Sequence, residues 1–120
     1  MIEMTAFNQN ATIFASDSMD IHVTVSTDKG VVKDLTGATD IRYAIRANPD
    51  LSNPPLVIKT LEDGITIINP PKGKFVVALS PSDTADLKGN YYHVCRVTDA
   101  AGRICTVFVG TISIREAGFA

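Results

Sequence analysis

The stretch that most restricts this chain is Gly73 to Ile104, GKFVVALSPSDTADLKGNYYHVCRVTDAAGRI. It reads as strand, one helical turn, strand, tight turn, strand. Phe75, Val77 and Leu79 alternate with Lys74, Val76 and Ala78, which gives an extended segment one apolar face. Ser80-Pro81-Ser82-Asp83 then opens a short helix. Ser80 suits the cap, Pro81 the first helical position, and Asp83 the third, from which it can answer the cap. Lys88-Gly89-Asn90 ends that helix after about a turn, with Leu87 expected as its buried plug. Tyr91, His93, Cys95 and Val97 fall on one face of the next strand, and Tyr92, Val94, Arg96 and Thr98 on the other. Asp99-Ala100-Ala101-Gly102 turns the chain back into a last strand from Arg103.

The rest of the chain repeats the period of two. Ala11 to Ala15 reads as a short first strand. In Asp20 to Ser26, Ile21, Val23 and Val25 point inward and His22, Thr24 and Ser26 outward. Thr27-Asp28-Lys29-Gly30 is a turn, Val31-Val32 a brief extended piece, and Leu35 a core plug before the Gly37-Ala38 bend. In Thr39 to Arg46, Ile41, Tyr43 and Ile45 face in while Asp40, Arg42 and Arg46 face out. Ala47 to Pro55 is a loop. Leu56 to Leu61 and Ile65 to Ile68 are strands joined by a turn at Glu62-Asp63-Gly64, and Asn69 to Gly73 is a second loop. The apolar phase shifts near Gly110, where a bulge is expected. No amphipathic helix of useful length appears. About seven to eight short strands with regular turn signals predict an all-β, immunoglobulin-like antiparallel β-sandwich over residues 11–114. Residues 1–10 read as an N-terminal arm and residues 115–120 as a tail that carries Phe119.

The chain of 120 residues is one domain in length. Its net charge of -2, with Lys and Arg scattered, gives no footprint for nucleic acid or an anionic membrane. MIEMTAFNQNATIFA carries an acid and no base, unlike a secretory signal. No segment reaches the roughly 20 apolar residues of a membrane helix. Cys95 and Cys105 fit a reducing compartment.

Candidate chemistry is thin. A nucleophile needs a base oriented by a third group. By strand parity His22 points to solvent and His93 to the core, so the two do not share a site, and His93 reads as a partly buried sheet residue beside Tyr91. His22, His93, Cys95 and Cys105 make a full set of zinc ligand types, yet the His93-x-Cys95 spacing and the outward His22 do not fit a zinc centre. A disulfide needs Cα atoms within about 7 Å. If Val97 pairs with Cys105, Cys95 faces Val107, so two buried free thiols are expected. Asp17 with Asp20, and Asp83 with Asp86, lack the ligand rhythm of a calcium loop. No catalytic, cofactor-binding or metal-binding residue is predicted, and no cofactor.

Three segments carry a resemblance. DIHVTVSTDKG (20–30) is followed by VKDLTGATDIRYAIR (32–46). DGITI (63–67) precedes GKFVVALSPSDTADL (73–87). KGNYYHVCRVTD (88–99) leads to GTISI (110–114). In this order, over about residues 16–114, the chain resembles the small immunoglobulin-like structural proteins of tailed bacteriophages and prophages. It is similar to the N-terminal domain of phage baseplate upper proteins. The resemblance implies a non-enzymatic virion component made in a bacterial host cytoplasm. Its partners would be other phage structural proteins and copies of itself, in a homo-oligomeric ring or lattice, with neither nucleic acid nor membrane. Lacking the second domain of baseplate relatives, the chain fits a capsid decoration or head-to-tail accessory as well as a tail part. The alternative is a host-surface receptor- or glycan-binding module that uses the Ala47–Pro55 and Asn69–Gly73 loops.

Overall fold

Period-two alternation becomes nine strands: β1 (Ile2–Met4), β2 (Ala11–Phe14), β3 (Met19–Thr24), β4 (Asp40–Arg46), β5 (Val57–Leu61), β6 (Gly64–Asn69), β7 (Lys74–Leu79), β8 (Gly89–Thr98) and β9 (Ile104–Arg115). One helical turn, α1 (Pro81–Thr84), joins β7 to β8, and a 3-10 turn at Pro70–Lys72 precedes β7. The computed structural model describes residues 2–4 (backbone only), 9–26, 31–48, 52–116 and 118. The turn expected at 27–30, Phe119 in the tail, residues 1 and 5–8 of the expected arm and residues 49–51 of the first loop lie outside the described residues.

The hydrogen-bonded order is β1-β3-β7-β6-β5-β4-β8-β9-β2. Only two residue pairs, Thr60 with Gly64 and Leu61 with Ile65, join β5 to β6. There the chain crosses between layers, so β1-β3-β7-β6 faces β5-β4-β8-β9-β2. Side chains from both layers meet in one core: Ile21, Val23, Phe75 and Val77 from the first, Ile41, Tyr43, Ile45, Val97 and Phe108 from the second. With β3, β7 and β6 in one sheet and β4, β8 and β9 in the other, this is an immunoglobulin-like sandwich. Tyr91 adds the tyrosine corner of that fold. At the start of β8 its hydroxyl donates to the Lys88 carbonyl at 2.8 Å and accepts from the Lys88 amide at 2.9 Å.

The helical corner has the expected cap. The Ser80 amide donates to Asp83 Oδ2 at 2.7 Å, and the Ser80 hydroxyl donates to the same oxygen at 3.0 Å. The Lys59 ammonium meets that oxygen at 2.9 Å. Burial by itself would raise the Asp83 carboxyl, but the bonds from Lys59 and Ser80 outweigh it and hold the group below its ordinary value. The plug of the corner is Thr84 rather than Leu87. Thr84 is fully buried and accepts a hydrogen bond from the Ser16 amide at 3.1 Å, whereas Leu87 is half-buried. A polar residue holds the buried position because its hydroxyl satisfies a backbone amide of the neighbouring turn. Leu35 is the core plug expected of it, 1 % exposed.

The bulge is not at Gly110. Cys95 pairs with Phe108 and Arg96 with Thr106, so Val107 is the extra residue. Past it the inward phase runs unbroken through Phe108, Gly110, Ile112 and Ile114. Gly110 is a glycine for another reason: a Cβ there would collide with the Gln9 carbonyl. Gln9 and Asn10 are docked on β9. The Gln9 amide donates to the Val109 carbonyl at 2.9 Å, and Asn10 Oδ1 accepts from the Thr111 amide at 2.9 Å. β1 pairs in parallel with β3. The described parts of residues 1–10 thus lie against the chain's own body.

Candidate interaction surface

The residues with reactive side chains sit mostly in packing roles. His93, on β8, is fully buried between Tyr43 and Phe108, with ring centroids 5.7 and 5.2 Å away. Its Nε2 lies 2.7 Å from the Gln9 carbonyl, which only accepts, so Nε2 carries the proton. Nδ1 is then the acceptor for the Tyr43 hydroxyl at 3.0 Å. Burial lowers the pKa of the ring, against the pull of the Gln9 hydrogen bond, and the ring is neutral with both nitrogens engaged. His22 lies on the other sheet, paired with Val76, and the two histidines do not converge.

Cys95 is buried beside Tyr43, and burial pushes its thiol far up. Cys105 pairs with Val97 but is exposed, contrary to the expectation of two buried thiols; both are free. The physical reason is an open edge. Val97 opposite Cys105 is 1 % exposed, but β2 pairs with β9 only over Ile112–Arg115, so among the described residues no strand flanks β9 at Cys105. Asp83 serves the helical cap, and Asp20 stands on β3 opposite Ala78. Among the described residues no three His, Cys, Asp or Glu side chains gather as metal ligands. The Asn69–Gly73 loop is tied to the body, because the Pro70 carbonyl accepts from the Leu35 amide at 2.8 Å and the Gly73 amide at 3.0 Å.

What stays unbalanced is the outer face of the second sheet. Register builds it in rows. Ile58, Ala44, Val94 and Val109 stand side by side across β5, β4, β8 and β9. On one flank of this apolar row are Thr60, Arg42, Arg96 and Thr106; on the other, Arg46, Tyr92 and Thr111. Ile58 is 54 % exposed, a large apolar side chain left in solvent at the β5 end of the row. The face holds a groove of about 430 Å³ lined by Arg42, Ala44, Arg46, Tyr92, Val94 and Arg96, with Thr106 and Val109.

Arg42 and Arg96 are directly opposed across the β4–β8 ladder. Like charges so placed destabilise a sheet. Arg42 Nε is answered by Asp40 Oδ2 at 2.7 Å, and Arg46 donates to the Asn53 carbonyl at 2.9 Å. The Arg96 side chain is exposed and has no ion-pair or hydrogen-bond partner among the described residues.

No family model matches this chain, and neither does any curated protein. Among solved structures it is similar to the fibronectin(III)-like modules of Clostridium thermocellum CbhA. That match has 11% identity and a TM-score of 0.49, and covers 98% of this chain and 99% of the other.

Chemically, the face offers guanidinium forks for carboxylates on both sides of an apolar strip, a pattern suited to recognising another surface. Strand parity already places Arg42, Arg46 and Arg96 outward. It does not put Arg42 opposite Arg96, because the pairing of β4 with β8 joins residues 54 positions apart in sequence and is fixed by the fold. An outward Arg on each of two adjacent strands, with one carboxylate nearby, was the available signal.

Proposed function

We propose that this chain is a non-catalytic structural protein that works through protein–protein contacts in a symmetric assembly, in the setting of a bacteriophage virion. Capsid decoration, head-to-tail and tail or baseplate positions all fit that role. The observation that carries the interaction reading is the arginine-flanked apolar face, where charge is left unneutralised beside a half-buried apolar row that ends in the exposed Ile58. The reactive groups point the same way. His93 and Cys95 are committed to the core, and Asp83 to the corner. The virion setting rests on the resemblance of residues 16–114 to phage immunoglobulin-like proteins.

The test is mass spectrometry of gradient-purified particles from an induced culture of the encoding strain. The protein is expected at a fixed stoichiometry that matches a ring or lattice position. Its absence from intact particles overturns the virion reading. An arm deletion that removes only residues 1–8 takes away the β1 pairing with β3 but keeps the Gln9 and Asn10 contacts to β9; read beside a circular-dichroism check that the fold survives, it asks whether the N-terminus holds the protein in the particle.

A further inference from the structure

The geometry points to an occupant for the outer face of the second sheet: an extended segment of another protein that presents a carboxylate, an apolar side chain and a second carboxylate at alternate positions. The rows supply the spacing. Arg42 and Arg46 lie four residues apart on β4, or about 13 Å along a strand, with Ala44 midway. A strand laid over the sheet along β4 points its residues i, i+2 and i+4 down at the same face. Acid at i and i+4 then meets Arg96 with Arg42 at one end and Arg46 at the other, and an apolar residue at i+2 covers Val94 and Ala44.

Charge selects an acidic occupant. Among the described residues the face carries Arg42, Arg46 and Arg96 against the single carboxylate of Asp40, on a chain of net charge -2. A carboxylate between Arg42 and Arg96 relieves the repulsion that the ladder imposes on them. Tyr92 adds an aromatic wall beside Arg46. The chain's own sequence contains no two acidic residues four apart, so none of its strands can supply this pattern to a second copy. The occupant is therefore a different protein. This inference rests on the reading of the chain as an interaction module.

The test uses the full chain, isotope-labelled, titrated with the peptide Thr-Glu-Thr-Val-Thr-Glu-Thr and followed by backbone amide shifts. Saturable shifts confined to Arg42–Arg46, Tyr92–Arg96 and Thr106–Val109 are expected. They should weaken at least tenfold when both Glu are replaced by Gln, and again in the Arg96→Glu chain. Lys74→Glu, on the outer side of the first sheet, should leave them unchanged. Any of four results overturns the inference: no saturable shifts; shifts that map elsewhere; equal binding by Arg96→Glu; or the same shifts from sulfate alone, which would make the face a general anion site. Shifts on this face that grow with protein concentration alone would make a second copy the occupant and would also overturn it. Protein found in particles without peptide binding would leave the virion reading standing and this one refuted. Peptide binding without protein in particles would do the reverse.

Discussion

Gly110→Ala is the sharpest probe of how the N-terminal segment is held. The added Cβ falls on the Gln9 carbonyl and only 2.9 Å from Asn10 Oδ1, so backbone rather than a flexible side chain must move. Three hydrogen bonds are at stake: the Gln9 amide to Val109, the Thr111 amide to Asn10, and His93 Nε2 to the Gln9 carbonyl. The first two are each worth about 0.5–1.5 kcal/mol net, and the third leaves a buried N–H unpaired at about 1–3 kcal/mol. Water reaching His93 as the segment lifts recovers part of that, so a loss of about 2–4 kcal/mol is expected. In a domain of this size it lowers the melting temperature by on the order of 10 °C. The assay is urea unfolding followed by circular dichroism, in the full chain and in a chain lacking residues 1–10. Without Gln9 the new methyl meets no carbonyl, and Gly→Ala in a strand is then neutral or mildly stabilising, by under about 1 kcal/mol. Equal costs in the two chains, hence no coupling between position 110 and the N-terminal segment, would falsify the steric reasoning.

Three further outcomes follow from the same cluster and its neighbours. Tyr43→Phe keeps the ring but strips His93 Nδ1 of its donor, and should cost about 1–3 kcal/mol in the same unfolding assay; a change within error would show that the bond contributes nothing. His93 titrates below its ordinary 6.5 in the folded chain, so the unfolded state binds the proton first as pH falls. Stability from this group is complete above about pH 6.5 and declines as pH drops from there toward the depressed folded value; urea midpoints that stay flat or rise from pH 7 to pH 5 would contradict it. A thiol reagent should modify Cys105 in the native protein and reach Cys95 only on unfolding, since Cys105 is exposed and Cys95 is buried with its thiol held protonated; fast labelling of both thiols under native conditions would refute the packing of β8.

Much of this molecule is written locally. Alternation at Ile21-Val23-Val25, Ile41-Tyr43-Ile45, Phe75-Val77-Leu79 and His93-Cys95-Val97 states which face of each strand is buried, and the structure buries those faces. The Ser80–Asp83 cap is likewise a local signal, since its partners are three residues apart. So is the turn at Asp99, whose Oδ1 takes the amides of Ala101 and Arg103 at 2.9 Å each. A period of two needs only neighbouring residues, and so do caps and turns.

Pairing is different, because it joins residues far apart and is set by the whole core. Whether Val107 or Gly110 is the bulge depends on how β9 registers against β8. That Thr84 rather than Leu87 fills the corner depends on where the Ser16 amide arrives. That Gly110 must lack a side chain depends on a segment about a hundred residues earlier. The candidate surface belongs to the same class. Outward-pointing Arg42 and Arg96 are visible in the chain one by one, but their meeting over a single face, beside a half-buried apolar row that ends in the exposed Ile58, was decided only when β4 and β8 lay down together.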